Sequence, residues 1–145
     1  MVLVDTPIWV NHLRKGVVQL ERLLLDEEVV CHPFIIGELA CGNIKNRSEI
    51  LDLLQDLPKV PTIDLAEYLY FIEQNHLSGI GIGFVDVHLL ASAQLSGVPL
   101  WTNDKRLKQT ALKLKILEYA LNSSAYYMLW FRSSSIGSRL VLSIP

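Results

Sequence analysis

Asp5, Glu38, Asp86 and Asp104 each stand among apolar or small neighbours, apart from mixed charged stretches such as Asp26-Glu27-Glu28 where most other acids lie. Asp5 ends the run Met1-Val2-Leu3-Val4, and Asp104 follows the apolar run from Val98 to Trp101, so both fall at the carboxyl ends of expected buried strands. Glu38 and Asp86 lie in apolar stretches with helical spacing. Burying a carboxylate costs several kcal/mol unless it is paired or binds a metal, so four acids in such settings are expected to need a shared counter-charge. Carboxylate oxygens are hard ligands suited to Mg²⁺ or Mn²⁺, and magnesium takes a few of them together with waters and substrate phosphate. Such a site acidifies a water, orients it for in-line attack and stabilises charge on the leaving oxygen, so phosphodiester hydrolysis is the natural reaction.

Taken singly, each acid has an ordinary structural reading. Asp5 or Asp104 is a helix N-cap, Asp86 a first-turn residue favoured by the helix dipole, and Glu38 a paired or solvated side chain. The set is more specific than its members because all four fall at strand-to-helix transitions or in otherwise apolar segments.

The elements that must position them follow from periodicity and punctuation. Val2 to Val4 read as a strand, and Thr6-Pro7 as a hydroxyl cap followed by a proline at the start of a helix, where its missing N–H does no harm. Val17, Leu20, Leu23 and Leu24 recur at helical spacing; Glu28 to Cys31 reads as a second strand ending at His32-Pro33, with Phe34 to Cys41 helical after it. Ile50 to Leu57 continues as helix up to Pro58. Asp64 with Glu67 three residues on forms a capping box that opens the helix Leu65 to His76. After the glycine-rich segment Ser78 to Gly83 come a helix over Asp86 to Leu95, a buried strand over Val98 to Thr102, a helix over Lys105 to Lys113 and a last strand over Lys115 to Leu117. Strands alternating with helices predict an α/β fold with a parallel sheet, whose ligands bind at the carboxyl ends of the strands, where Asp5 and Asp104 would meet.

Composition sets the frame. The 145 residues are half hydrophobic and 19% charged, enough for one core and cramped for two. A formal charge of −2 marks no strong bias toward nucleic acid, leaving local basic clusters as the place for one. Cys31 and Cys41 form neither a CxxC motif nor a zinc spacing; both read as core packing in a reducing, cytoplasmic setting. Met1 opens directly onto a strand, unlike a signal peptide, and no apolar run reaches the roughly 18 residues of a membrane span. The predicted domain covers 1–121. Residues 122–145 break the rhythm, with seven serines, only Arg132 and Arg139 as charges, and the aromatic run Tyr126 to Phe131; they read as a disordered or loosely docked serine-rich extension, or as a cover for an apolar patch.

In order and spacing, Val-Leu-Val-Asp5-Thr6 with Trp9 after it, Ile36-Gly37-Glu38-Leu39, Phe84-Val85-Asp86-Val87-His88-Leu89-Leu90-Ala91 and Leu100-Trp101-Thr102-Asn103-Asp104-Lys105-Arg106-Leu107 resemble the PIN domain, and within it the VapC-type toxins of bacterial toxin-antitoxin pairs. The resemblance runs from Met1 to about Leu121. It implies a three-layer domain, a central parallel sheet flanked by helices, acting as a Mg²⁺- or Mn²⁺-dependent endoribonuclease. Asp5, Glu38, Asp86 and Asp104 would be the catalytic, metal-holding quartet, supported by Thr6, Thr102 and Asn103. It also implies an RNA substrate, tRNA or rRNA among the candidates, products with 5′-phosphate and 3′-hydroxyl ends, inhibition of translation, a cognate VapB-like antitoxin that blocks the acidic cleft, and a homodimer built from helices near the N-terminus. Two departures stand out: Pro7, where such toxins more often carry a small polar residue, and the serine-rich tail.

For RNA phosphates, Arg14, Lys105 and Arg106 are the favoured contacts, while Lys108, Lys113 and Lys115 read as a solvated helix face. His88, two residues past Asp86, reads as surface or packing, Trp9 and Trp101 as core or cleft wall, and no aromatic stacking site for bases is evident. Gly79, Gly81 and Gly83 lack a following Gly-Lys-Ser/Thr and read as a flexible turn, not a phosphate loop. An aspartyl phosphatase is disfavoured by Pro7 in place of its second acid, and a receiver domain by the lack of an acid beside Asp5. A non-catalytic module whose acidic pocket receives a basic peptide stays open as the alternative.

Overall fold

The computed structural model describes residues 1–119, so the extension expected over 122–145 lies outside the described residues. The order is β1 (Val2–Val4), α1 (Thr6–Lys15), α2 (Val18–Leu25), β2 (Val29–Val30), α3 (Pro33–Ala40), α4 (Arg47–Asp56), α5 (Leu65–Asn75), α6 (Phe84–Ser96), β3 (Leu100–Trp101) and α7 (Lys105–Lys113). Each strand hands directly to a helix, and the return to the sheet is by crossover, which makes the pairing parallel.

The strands lie in the order β2-β1-β3, all parallel, with Val2 opposite Val29, and Leu3 opposite both Val30 and Leu100. Single parallel bridges, Cys31 with Lys59 and Leu100 with Glu118, widen the pairing at each side. The strand expected over Lys115 to Leu117 does not form: Leu114 and Lys115 lie in a turn, with Lys115 at φ 58°, and the pairing with Leu100 falls on Glu118. The strand expected over Val98 to Thr102 is shorter, because Pro99 has no N–H for the ladder and contributes only its carbonyl, which accepts from Leu3 N at 3.0 Å. As the central strand, β1 is buried on both faces, and its side chains join Trp9, Leu20, Leu24, Ile35, Leu89 and Leu107 in one core. This is the α/β architecture that the alternation of elements predicts.

Two other expectations change. Cys31 is core, its thiol pushed up to about 12 by burial, whereas Cys41 is exposed at the end of α3. Helix α6 begins at Phe84, two residues earlier than expected, because Asp86 turns back to accept from Gly83 N at 3.0 Å and closes the first turn around Gly83. Among the described residues no helix is long and apolar enough to cross a membrane.

Candidate active site

Asp5 leaves β1 at its carboxyl end and is the N-cap of α1 in place of Thr6, the hydroxyl cap expected from the sequence, which is instead the first helical residue because the Asp5 carboxylate takes its N–H. The N–H of Asp5 stays in the ladder, donating to the Trp101 carbonyl at 2.9 Å, so the side chain is placed by the sheet and not by a loop. Oδ1 accepts from Thr6 N at 2.8 Å, and Oδ2 accepts from the Thr102 hydroxyl at 2.6 Å. The residue is only 6% exposed. Burial holds its carboxyl above the ordinary carboxylate range against the pull of the Thr102 and Thr6 hydrogen bonds, and the charges of Asp86 and Glu38 push it the same way. That electrostatic reach is the evidence that α3 and α6 bring their acids toward the end of β1.

The other three acids are not buried as their apolar sequence neighbours suggested. Asp86 is half-buried, and Glu38 and Asp104 are exposed. On α3, Ile35 and Leu39 are the residues that enter the core, while Glu38, at the flank of the stripe they form, is exposed. Asp104 caps α7, with Oδ1 accepting from Leu107 N at 2.8 Å. It is tied to Asp5 through Thr102, whose hydroxyl donates to Asp5 and accepts from Asp104 N at 3.1 Å. One hydroxyl thus sets both carboxylate positions.

The remaining expected residues divide. Thr6 contributes its N–H to Asp5, and its hydroxyl is buried without a partner; Asn103 is exposed between the two acids' supports. Lys105 and Arg106 open α7 beside Asp104, and the Arg106 guanidinium reaches the Gly81 carbonyl at 3.5 Å. Arg14 is exposed in the last turn of α1, roughly 14 Å of helix rise from Asp5. Lys108 pairs with Glu118 at 2.9 Å.

Sequence reading missed an aromatic cluster at the start of α6. Phe34 and Phe84 stack with centroids 5.6 Å apart, His88 meets both edge-on, and Tyr68 stacks on His88 at 4.8 Å. His88 is therefore packing, as expected, but in a ring cluster next to Asp86. The available signal was Phe84 and His88 four residues apart on one helix face; Phe34 and Tyr68 come from other helices and carry none.

The donor chemistry fits a divalent cation. The charges of Asp86 and Glu38 act unfavourably on the buried Asp5 carboxylate at a strand end, the ion pairs described, Met1 with Glu28 and Lys108 with Glu118, involve none of the quartet, and the Thr6 hydroxyl, buried with no hydrogen-bond partner among the described residues, sits beside Asp5. Among the described residues no three acidic, histidine or cysteine side chains stand gathered as a ready-made cage. Such a site is completed by water and substrate oxygens, as magnesium sites commonly are.

The PIN domain family model matches residues 2–113. Proteins named Ribonuclease VapC32 from two strains of Mycobacterium tuberculosis, CDC 1551 / Oshkosh and ATCC 25618 / H37Rv, are each 48% identical over 109 residues, covering 74% of this chain and 88% of the relative.

Proposed function

We propose that this chain, which belongs to the PIN-domain family, is a VapC-type endoribonuclease toxin that hydrolyses RNA phosphodiester bonds with a divalent ion. The observation that supports this most directly is Asp5: a buried carboxylate, oriented through both oxygens, with two further acids acting on it. Its 48% identical relatives bear the name ribonuclease.

In this reading Asp5, Glu38, Asp86 and Asp104 hold Mg²⁺ or Mn²⁺. When bound, the ion supplies an acidified water and charge stabilisation at the leaving oxygen. The chain's own contributions are positional. Thr102 fixes Asp5 Oδ2 and the Asp104 backbone together, Thr6 N fixes Asp5 Oδ1, and the Gly83 N–H orients Asp86. Lys105 and Arg106 hold substrate phosphates from the start of α7, with Arg14 a more distant contact. The products carry 5′-phosphate and 3′-hydroxyl ends. The toxin acts as a homodimer in the cytoplasm, arrests translation by cutting tRNA or rRNA, and is silenced by a VapB-like antitoxin that presents a basic segment to the acids.

The test is cleavage of a total bacterial RNA pool by the purified protein with Mg²⁺ or Mn²⁺, beside EDTA and Asp5→Asn controls. Discrete fragments absent from both controls are expected. The second reading is a non-catalytic module whose acidic pocket receives a basic peptide. Intact RNA from folded, inhibitor-free protein would establish it instead.

A further inference from the structure

The aromatic cluster is built on the same two helices that carry Glu38 and Asp86. Phe34 lies one helical turn before Glu38 on the same face of α3, and Phe84 opens the first turn of α6, the turn that also carries Asp86. Five rings meet there: His32 and Phe34 at the start of α3, Tyr68 from α5, and Phe84 and His88 from α6. The inner members are closed from solvent, with His32 and His88 at 0% and 3% exposure, yet Phe84 at the outer edge remains 54% exposed. Two buried imidazole nitrogens in the cluster, His32 Nε2 and His88 Nδ1, have no hydrogen-bond partner.

The outer face of the cluster is open: Phe84 remains more than half exposed while it packs on Phe34, Tyr68 and His88. Helix α5 has no buried residue at all, and what it adds to this region is Tyr68, in ring contact with Phe84 at 5.0 Å and His88 at 4.8 Å. A cation stands close by: Arg106 reaches the Gly81 carbonyl in the loop that leads into α6, so tightly that a Cβ on Gly81 would lie 2.2 Å from its Nη1. An open aromatic face, a neighbouring guanidinium and carboxylates on the same helices match the chemistry of single-stranded RNA, whose splayed bases stack on aromatic rings while phosphates meet arginine.

We propose that Phe84, backed by Phe34, Tyr68 and His88, is the stacking platform for a nucleobase flanking the cleaved phosphodiester. This rests on the ribonuclease reading and deepens it: Phe84 is a positioning residue that holds the strand in register with the acids. Stacking tolerates any base, so the platform sets placement and not sequence.

The test is fluorescence anisotropy with a labelled 12-nucleotide single-stranded RNA and with the same strand made abasic, using full-length protein carrying Asp5→Asn so that the strand survives. Phe84→Ala is expected to weaken binding of the intact strand about tenfold, within the range for one stacked base. Phe84→Trp restores it, and the abasic strand binds all three proteins alike. Unchanged affinity in Phe84→Ala, or an equal loss on the abasic strand, overturns the platform. So does an altered mass in light scattering with RNA affinity unchanged, which would make the face a protein contact. Cleavage is scored separately on the Asp5 protein with Mg²⁺. Base-dependent binding without cleavage keeps the platform and removes the ribonuclease reading; no RNA binding by any variant removes both.

Discussion

The two ends of β1 handle charge in opposite ways. At its amino end the Met1 ammonium pairs with Glu28, opposite signs meeting in the open with side chains 42% and 49% exposed. At its carboxyl end Asp5 is buried, and the charges that act on it, Asp86 and Glu38, are of its own sign. The first arrangement lowers energy and does no chemistry. The second raises it, and persists because the sheet ladder and the Thr102 hydroxyl over-determine where Asp5 sits.

The largest expected effect breaks the carboxyl end. Asp5→Asn removes the buried charge but keeps its shape, and should lower RNA cleavage by on the order of a thousandfold or more. The melting temperature should match or exceed that of the parent, since one of the opposing charges is gone. Mn²⁺ should raise the parent's melting temperature and leave the variant's unmoved. A destabilised variant would mean that Asp5 serves the fold first.

Acid should weaken the protein through two imidazoles. His12 and His32 are both fully buried, and burial lowers each to about 4. Each Nδ1 accepts a backbone N–H, from Val17 at 3.2 Å and from Phe34 at 3.0 Å, a role that only the neutral ring can fill. Because the unfolded chain takes up these protons from about pH 6.5 downward and the native state does not until about 4, their stability is complete above that window and is lost as pH falls through it. The loss is up to roughly 3 kcal/mol per ring. The raised Asp5 carboxyl works in the opposite sense, taking its proton more readily when folded. Melting temperatures from pH 7 to 4 should fall for the parent and fall less for His12→Gln, which keeps an acceptor and gains no proton.

Thr102→Val tests whether the carboxyl end depends on one hydroxyl. It leaves Asp5 Oδ2 and Asp104 N without their shared partner, and should cost about 1–3 kcal/mol in chemical denaturation. Cleavage should fall by about one order of magnitude while Thr102→Ser retains most of both. The smallest effect is expected at the amino end. Glu28→Gln removes an exposed pair and should shift stability by less than about 1 kcal/mol with cleavage unchanged. An equal loss at both ends would erase the contrast.

Some of this was legible residue by residue. The Asp64–Glu67 capping box closes at 2.8 Å in both directions, and α7 spans Lys105–Lys113 as its pattern predicts, because caps and amphipathic faces are local properties. The acids were legible as a set but not in their burial. An apolar stretch does not say where the buried stripe of a helix ends, and Glu38 falls at the exposed flank of the stripe formed by Ile35 and Leu39. The aromatic cluster escaped for a related reason: its rings come from α3, α5 and α6, and no spacing within one segment reports that they meet.

By itself, the amino-acid sequence determined the alternation of strands and helices, the caps that start α5 and α7, and the four acids that mark the candidate site, since each depends on residues a few positions apart. The tertiary structure decided which carboxylate is buried, that Thr102 reaches Asp5 across 97 positions, and that Phe84 stays open while His88 behind it is closed. Those outcomes depend on which surfaces exclude water together, and that is a property of elements packed in space.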